Sequence, residues 1–155
     1  MSIILGLDPG SLITGYGIIS YDINSINYIT SGLIKINNKN ILFRTNLICN
    51  YLDKIINKFK PDYCAIEKVF ISNKNISSGL KLSQVKGAIL FLITKYNIPV
   101  FEYSTCTIKN AIVGTGKATK KQIQYMIKFL LKISFDIKED SSDALATAIT
   151  YCHYN

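Results

Sequence analysis

The sequence has few of the residues that form zinc sites, disulfides or membrane spans. His153 is the single histidine, and the four cysteines show no C-x-x-C spacing, which argues against a zinc site and against a disulfide framework. We expect reduced, mostly buried thiols and a histidine that packs or lies on the surface. No apolar run approaches the roughly 18 residues that cross a bilayer, and the N terminus lacks the basic region of a signal peptide. These absences predict a soluble, cytoplasmic protein without a membrane partner.

Acidic residues are also scarce. Ten Asp and Glu stand against eighteen Lys and Arg, which gives a net charge of +8, and a broad basic surface suits a polyanion. Arg44 is the single arginine, and a genome rich in A and T would also favour Ile, Asn and Lys, so charge alone does not identify the substrate. The 155 residues fit one domain, spanning 1–155.

The pattern of apolar residues predicts an α/β fold. Three β-branched and aromatic runs predict a meander of three strands, namely Ile3–Leu7, Tyr16–Tyr21 and Asn27–Ile34. A 3.6-residue period then predicts a helix from Phe43 to Phe59 that Pro61 ends. Two strands and three helices follow, with strands Tyr63–Ile66 and Pro99–Glu102 and helices from about Leu80 to Tyr96, near Lys120 to Lys132 and near Ser141 to His153. This order predicts a five-stranded mixed sheet flanked by helices, with the later strands parallel to the first.

Four carboxylates stand where a strand ends or a helix begins. Asp8 and Glu67 each follow a short apolar run, and Asp140 and Asp143 lie three residues apart at a helix start, on one helix face. Converging carboxylates repel one another unless a cation binds, and oxygen ligands without cysteine or histidine favour Mg²⁺ or Mn²⁺. Two such ions, bridged by Asp8 on the central strand, would support phosphodiester hydrolysis by an activated water.

Each carboxylate also has a structural alternative. Asp8 precedes Pro9 and Gly10, which is typical of a turn. Asp140 or Ser141 would serve as a helix N-cap, with Asp143 favoured by the helix dipole. Glu67 is harder to explain in this way, because a carboxylate buried in a central strand must be paired, protonated or bound to a metal.

Basic and aromatic residues near these carboxylates suit a phosphate-bearing substrate. Four lysines precede the last acidic pair and would neutralise charge on a phosphate, namely Lys109, Lys117, Lys120 and Lys121. The segment after Glu67 mixes Phe70 with apolar and basic residues, a combination that suits unstacked bases and phosphates. Inward packing of Phe70 at the strand end is an equal alternative from the residues alone.

Six segments carry a family resemblance: D-P-G-S-L-I-T-G-Y-G, P-D-Y-C-A-I-E-K-V-F, L-K-L-S-Q-V-K-G, P-V-F-E-Y, V-G-T-G-K-A-T-K-K-Q-I-Q and D-S-S-D-A-L-A-T-A-I-T-Y-C-H. In this order and spacing, from residue 2 to residue 153, the chain resembles the RuvC family of bacterial crossover (Holliday) junction endodeoxyribonucleases. The resemblance implies a ribonuclease-H-like fold and a homodimer. It also implies Mg²⁺-dependent symmetric nicking of four-way DNA junctions in recombination and repair, and cooperation with the RuvA–RuvB branch-migration motor.

The resemblance assigns roles to individual residues. Its four acidic metal ligands match Asp8, Glu67, Asp140 and Asp143, its active-site lysines match Lys109 and Lys120, and its junction-stacking aromatic matches Phe70. Further DNA contacts are expected from lysines at five positions: Lys74, Lys81, Lys86, Lys117 and Lys121. The helix with L-K-L-S-Q-V-K-G resembles the family's dimer helix, and its apolar residues 82, 85, 89, 90 and 93 suit packing on a core and on a partner.

Three positions depart from the family pattern. Ser83 replaces the usual glycine, Lys68 stands where glutamine is frequent, and Lys86 stands where arginine is usual. The third change matters most for DNA or dimer contacts, because lysine cannot make the bidentate contact of a guanidinium group.

Three other functions fit part of the pattern. Sugar-kinase and actin-like ATPases share the acidic strand turn on a related fold, but they need two such domains to enclose a nucleotide. A non-catalytic junction-binding module would have lost an acidic ligand, and all four are present here. An RNA-processing nuclease of the same fold would use the same metals and recognise 2′-hydroxyls, and composition does not separate RNA from DNA.

Overall fold

A five-stranded mixed sheet forms the centre of the protein. The structure, a computed structural model, describes residues 1–71 and 76–155. The sheet has the order β3-β2-β1-β4-β5, with strands β1 (Ser2–Asp8), β2 (Ile13–Asp22), β3 (Ser25–Lys35), β4 (Tyr63–Glu67) and β5 (Val100–Tyr103). Strands β1 to β3 are antiparallel neighbours, whereas β4 is parallel to β1 and β5 is parallel to β4. The predicted mixed sheet with a central first strand is confirmed.

Helices cover both faces of this sheet. They are α1 (Ile41–Phe59), α2 (Ile76–Lys95), α3 (Thr105–Val113), α4 (Lys120–Leu130) and α5 (Glu139–Tyr154). Helix α3 was missed by the sequence analysis, although Ser104 caps its start and Gly114, with φ of 82°, ends it. Its nine residues are too few to establish a clear apolar period.

Alternation along β1 assigns its residues to the two faces. Ile4 packs in the core formed with α3, α4 and α5, whereas Leu5 and Leu7 pack in the core formed with α1 and α2. Because successive side chains in a strand point to opposite faces, Asp8 lies on the same face as Ile4. The same alternation on β4 places Glu67 on the face of Ala65, beside α5.

Helix α5 lies unusually close to β1 and β2. A Cβ atom added at Gly6 would lie 2.0 Å from the carbonyl oxygen of Ala144, and one added at Gly15 would lie 2.0 Å from that of Asp140. The helix backbone therefore contacts the sheet with no side chain between them. This contact sets the position of the first turn of α5 relative to the end of β1.

Helix α2 bears on the expectation that no segment of the chain is long and apolar enough to cross a bilayer. It is 20 residues long, and its mean hydropathy of 1.3 gives it the length and composition of a membrane-crossing helix, because Lys81 and Lys86 interrupt the apolar run without lowering its mean far enough. Here Val85, Ile89 and Ile93 are buried in the core. The absence of a membrane partner stays a prediction.

Other side chains of note lie outside this framework. The four cysteines are free, but Cys64 and Cys152 are buried while Cys106 is exposed and Cys49 is half-buried, so the expectation of mostly buried thiols holds for two of them. His153 is exposed, with Nδ1 3.0 Å from the carbonyl oxygen of Ala111. Arg44 is buried, and its Nη1 donates a hydrogen bond of 2.5 Å to the carbonyl oxygen of Asn38.

The direct contact between the backbone of α5 and strand β2 predicts that Gly15→Ala destabilises the protein. The added methyl group must displace the Asp140 backbone, and overpacking of this kind costs about 1–3 kcal/mol. Chemical denaturation monitored by circular dichroism measures the loss. The control is Gly87→Ala, where an added Cβ meets no atom within 4 Å. A Gly15→Ala protein as stable as the wild type would contradict the close contact.

Candidate active site

The four predicted carboxylates meet in one cavity. Asp8 is the last residue of β1 and Glu67 the last of β4, and parallel strands bring both to the same edge of the sheet. Asp140 and Asp143 lie in the first turn and a half of α5, beside that edge. The cavity has a volume of about 320 Å³ and is lined by Asp8, Glu67, Thr105, Ile108, Lys109, Lys120, Ile123, Asp140 and Asp143.

Asp8 is the carboxyl group whose pKa is raised most in this cavity. Burial, followed by the charges of Glu67, Asp143 and Asp140, raises the pKa of Asp8 to about 8, while Lys120 opposes the shift. Burial also raises the pKa of Asp143 to about 6, although Lys120 counteracts it. A carboxyl group that holds its proton near neutral pH in a cavity of carboxylates is typical of a functional site.

The hydrogen bonds support neither a turn role for Asp8 nor an N-cap role for Asp140 or Ser141. The turn after Asp8 is closed by Thr14, whose Oγ1 donates a hydrogen bond of 3.0 Å to the carbonyl oxygen of Gly10. The N-cap of α5 is Lys138, with no side-chain cap bond, so neither Asp140 nor Ser141 caps the helix. The helix begins at Glu139, two residues before the predicted start.

Glu67 is half-buried and has a partner that the sequence analysis missed. The Oγ1 atom of Thr105, the first residue of α3, donates a hydrogen bond to Oε1 of Glu67. Thr105 directly follows the cap residue Ser104 and comes soon after β5 ends, so a serine cap following a parallel strand was the signal available in the sequence. This contact holds the Glu67 carboxylate beside the N terminus of α3.

Two of the predicted lysines line the cavity. Lys109 projects from α3 and Lys120 is the first residue of α4. Lys120 also pairs with Glu139, a residue that the sequence analysis did not select, and this contact raises the pKa of the Lys120 ammonium. A phosphate entering the cavity would therefore compete with Glu139 for Lys120.

The remaining predicted DNA-binding lysines are distributed differently. Lys81, Lys117 and Lys121 are exposed outside the cavity lining, and Lys74 lies outside the described residues. The prediction for Lys86 needs correction. Its side chain is 9% exposed and its Nζ pairs with Glu102, so it faces the protein interior and not the surface available to DNA.

Phe70 lies beside the cavity and is 86% exposed, so the alternative of inward packing is wrong. A second cavity of about 180 Å³ adjoins the first and is lined by Asp8, Pro9, Glu67, Lys68, Val69, Phe70, Leu82 and Thr105. Because this cavity shares Asp8, Glu67 and Thr105 with the first, the exposed ring and the carboxylates border one continuous depression.

The donor set fits a divalent cation. Four carboxylates supply the hard oxygen ligands that Mg²⁺ and Mn²⁺ prefer, and burial together with the neighbouring carboxylates raises the pKa of Asp8. Within residues 1–71 and 76–155, however, no three His, Cys, Asp or Glu side chains already stand at metal-binding spacing. Ligation would require rotation of these side chains.

Comparison with known sequences gives a consistent result over the whole chain. The family model described as crossover junction endodeoxyribonuclease RuvC matches residues 4–153. The chain is 46% identical over 153 residues to the crossover junction endodeoxyribonuclease RuvC of Cronobacter sakazakii, covering 99% of this chain and 88% of that protein. It is 45% identical over 155 residues to the corresponding protein of Pectobacterium carotovorum, covering 100% and 89%.

Solved structures confirm the expected ribonuclease-H-like fold. Thermus thermophilus RuvC in complex with a Holliday junction substrate matches with a TM-score of 0.91 at 24% identity, over 99% of this chain and 94% of that chain. The fowlpox virus resolvase in complex with Holliday junction DNA matches with a TM-score of 0.62 at 16% identity, over 97% and 98%.

The raised pKa of Asp8 predicts a pH-dependent loss of stability in the metal-free protein. The group has an ordinary pKa of 3.8 in the unfolded chain and about 8 in the folded protein. Between these values only the folded state holds the proton, so the free energy of unfolding falls as pH rises and levels off above pH 8. Asp8→Asn removes this dependence and should be more stable than the wild type at pH 8, with the difference shrinking toward pH 4.

Chemical denaturation in EDTA across this pH range measures the effect. Asp136→Asn is the control, because it removes one negative charge at an exposed site. A wild-type protein whose stability rises between pH 5 and pH 8 relative to Asp8→Asn would contradict the assignment of Asp8 as the group carrying the proton.

Proposed function

Because this chain belongs to the RuvC family of crossover junction endodeoxyribonucleases, we propose that it resolves four-way (Holliday) DNA junctions by paired, symmetric nicks, in homologous recombination and repair. Membership of this nuclease family implies dependence on a divalent metal. The observation that carries the proposal is the cavity in which four carboxylates and two lysines, supplied by five different elements, face one another. Residues 1–155 would act as one nuclease domain.

The acidic residues of the cavity would hold the metal. Asp8, Glu67, Asp140 and Asp143 suit two Mg²⁺ ions per subunit, with Mn²⁺ as a substitute. When bound, such ions activate a water on one side of a phosphodiester and stabilise the leaving oxygen on the other. Asp8 would lose its proton as the site forms, since a carboxylate must be ionised to act as a ligand.

The lysines would act on the phosphate itself. Lys109 and Lys120 line the same cavity as the carboxylates, and a positioned ammonium stabilises the negative charge that develops during phosphodiester hydrolysis. Lys120 would exchange its contact with Glu139 for one with the scissile phosphate. Substrate binding would thus be coupled to the loss of that ion pair.

The surface around the cavity suits branched DNA. The exposed ring of Phe70 is available to stack on an unpaired base at the crossover, a contact worth about 1–3 kcal/mol per base. Lys81, Lys117 and Lys121 are exposed and would contact phosphates, as would Lys74. The net charge of +8 supports this backbone recognition.

A homodimer would match the symmetry of the junction. Helix α2 leaves Ile76, Leu80 and Phe91 exposed, at 53%, 55% and 73%, while Val85, Ile89 and Ile93 serve the core. The partner surface would therefore use the outer side of α2. A two-fold enzyme on a two-fold junction places the two nicks symmetrically. Cooperation with a RuvA–RuvB motor in the cytoplasm belongs to the same proposal.

Cleavage of a synthetic four-way DNA junction, beside a linear duplex of matched sequence, tests the proposed function. We expect paired nicks in the junction alone with Mg²⁺ and no cleavage with EDTA. Asp8→Asn should abolish cutting and retain junction binding in a gel-shift assay, because it removes a metal ligand and leaves the basic surface intact.

Other outcomes would change the assignment. Tight junction binding by the wild type without cutting in Mg²⁺ or Mn²⁺ would indicate a non-catalytic binding module. Equal cleavage of structured RNA would favour an RNA nuclease. Loss of binding in Asp8→Asn as severe as the loss of cutting would contradict the separation of the metal site from the DNA surface.

Phe70→Ala should slow junction cleavage and leave the melting temperature unchanged, because the ring is exposed and its loss creates no cavity in the core. The control is Phe129→Ala on α4, whose ring is 68% exposed and lines neither of the two cavities at the site. Single-turnover cleavage and thermal unfolding measure the two effects. A large drop in melting temperature with unchanged cleavage would show that Phe70 serves packing.

A further inference from the structure

Lys86 is a buried lysine with two partners, on the opposite face of the sheet from the carboxylate cavity. It projects from α2 and is 7% exposed. Its Nζ donates a hydrogen bond of 3.0 Å to the backbone carbonyl oxygen of Glu67 and one of 2.5 Å to Oε2 of Glu102. Glu102 lies on β5, where alternation with Phe101 directs it toward α2 and away from α5. One ammonium therefore joins α2, β4 and β5.

The contact with Glu67 occurs where β4 ends. The chain leaves the sheet after Glu67, and the next backbone bond to β5 runs from the amide of Lys68 to the carbonyl of Tyr103, at 2.8 Å. A buried backbone carbonyl without a partner is costly. Lys86 supplies that partner at the residue whose side chain enters the cavity.

Glu67 is thus held at two points on opposite faces of the sheet. Thr105 binds its carboxylate within the cavity, and Lys86 binds its backbone from the other face. The contact with Thr105 occupies one oxygen of the carboxylate, for which a cation would compete, whereas the contact with Lys86 occupies no ligating atom. The Lys86 contact can therefore fix the Glu67 backbone whether or not the carboxylate binds a cation.

We propose that Lys86 is a positioning residue for the metal site: it fixes the end of β4 so that Glu67 faces Asp8, Asp140 and Asp143, and Glu102 holds Lys86 in place. The inference rests on the proposed function. Its role explains why a lysine is buried here at the cost of desolvating an ammonium. It also links the helix proposed to meet a second subunit with one carboxylate of the site.

Lys86→Met tests the inference, since methionine fills similar space and cannot donate to either partner. Removing a group that orients a metal ligand typically weakens metal binding or activity about 10–100-fold, and we expect Mn²⁺ binding, measured by calorimetry on the protein alone, to weaken within that range. Cleavage at limiting Mn²⁺ should fall in parallel, while junction binding in EDTA stays unchanged.

Two further variants separate positioning from general effects. Lys86→Arg should retain Mn²⁺ binding, because a guanidinium can donate to both oxygens. Lys95→Met makes the same substitution at an exposed position on the same helix and should behave as the wild type. Circular dichroism and thermal unfolding check that each variant is folded.

A folded Lys86→Met protein that binds Mn²⁺ as tightly as the wild type would overturn the inference. If that protein also binds the junction more weakly, Lys86 is a DNA contact instead. If Lys86→Met does not fold, Glu102→Gln decides: we expect weaker Mn²⁺ binding than in the wild type, and unchanged binding rejects the proposal. The two proposals can fail separately. If the wild type does not cut junctions but Lys86→Met still weakens Mn²⁺ binding, the proposed function is rejected and the positioning role of Lys86 is retained.

Discussion

The direct contact between the backbone of α5 and strands β1 and β2 is the constraint on which the site depends. Gly6 and Gly15 allow the helix to lie against the sheet without an intervening side chain, and Leu145, Ala148 and Ile149 bury its inner surface. This packing holds two carboxylates beside Asp8 against their mutual repulsion. The stability of the core thus maintains an arrangement that is electrostatically unfavourable until a cation or proton neutralises it.

The two faces of the sheet contribute differently. Helices α3, α4 and α5 cover the face with the carboxylates and supply the lysines and Thr105, whereas α1 and α2 cover the other face and supply apolar packing and Lys86. The end of β4 lies between these two layers. A displacement of α2, for example on contact with a second subunit, would therefore reach Glu67 through the contact of Lys86 with its backbone.

Much of the fold and the acidic cluster could be predicted from the sequence, because Asp8 and Glu67 directly follow short apolar runs and parallel strands end at one edge. What the sequence analysis missed depended on tertiary packing. Helix α3 is too short for a clear period, so Thr105 was missed with it. Lys86 was assigned to the DNA surface for its charge, although its spacing of three and seven residues from Ile89 and Ile93 places it on the buried side of the helix.

The burial of Arg44 has a consequence for how this protein discriminates among nucleic acids. With the single guanidinium held in the interior at the start of α1, the permanently charged side chains left to contact phosphates are lysines. An ammonium is a point charge without the planar fork that matches the edge of a guanine. Lysine contacts therefore depend on the positions of the phosphates and depend little on the base sequence. Under the proposed function, selectivity would then come from the path of the DNA backbone and from the stacked ring of Phe70, so the protein would distinguish branched from linear DNA by shape.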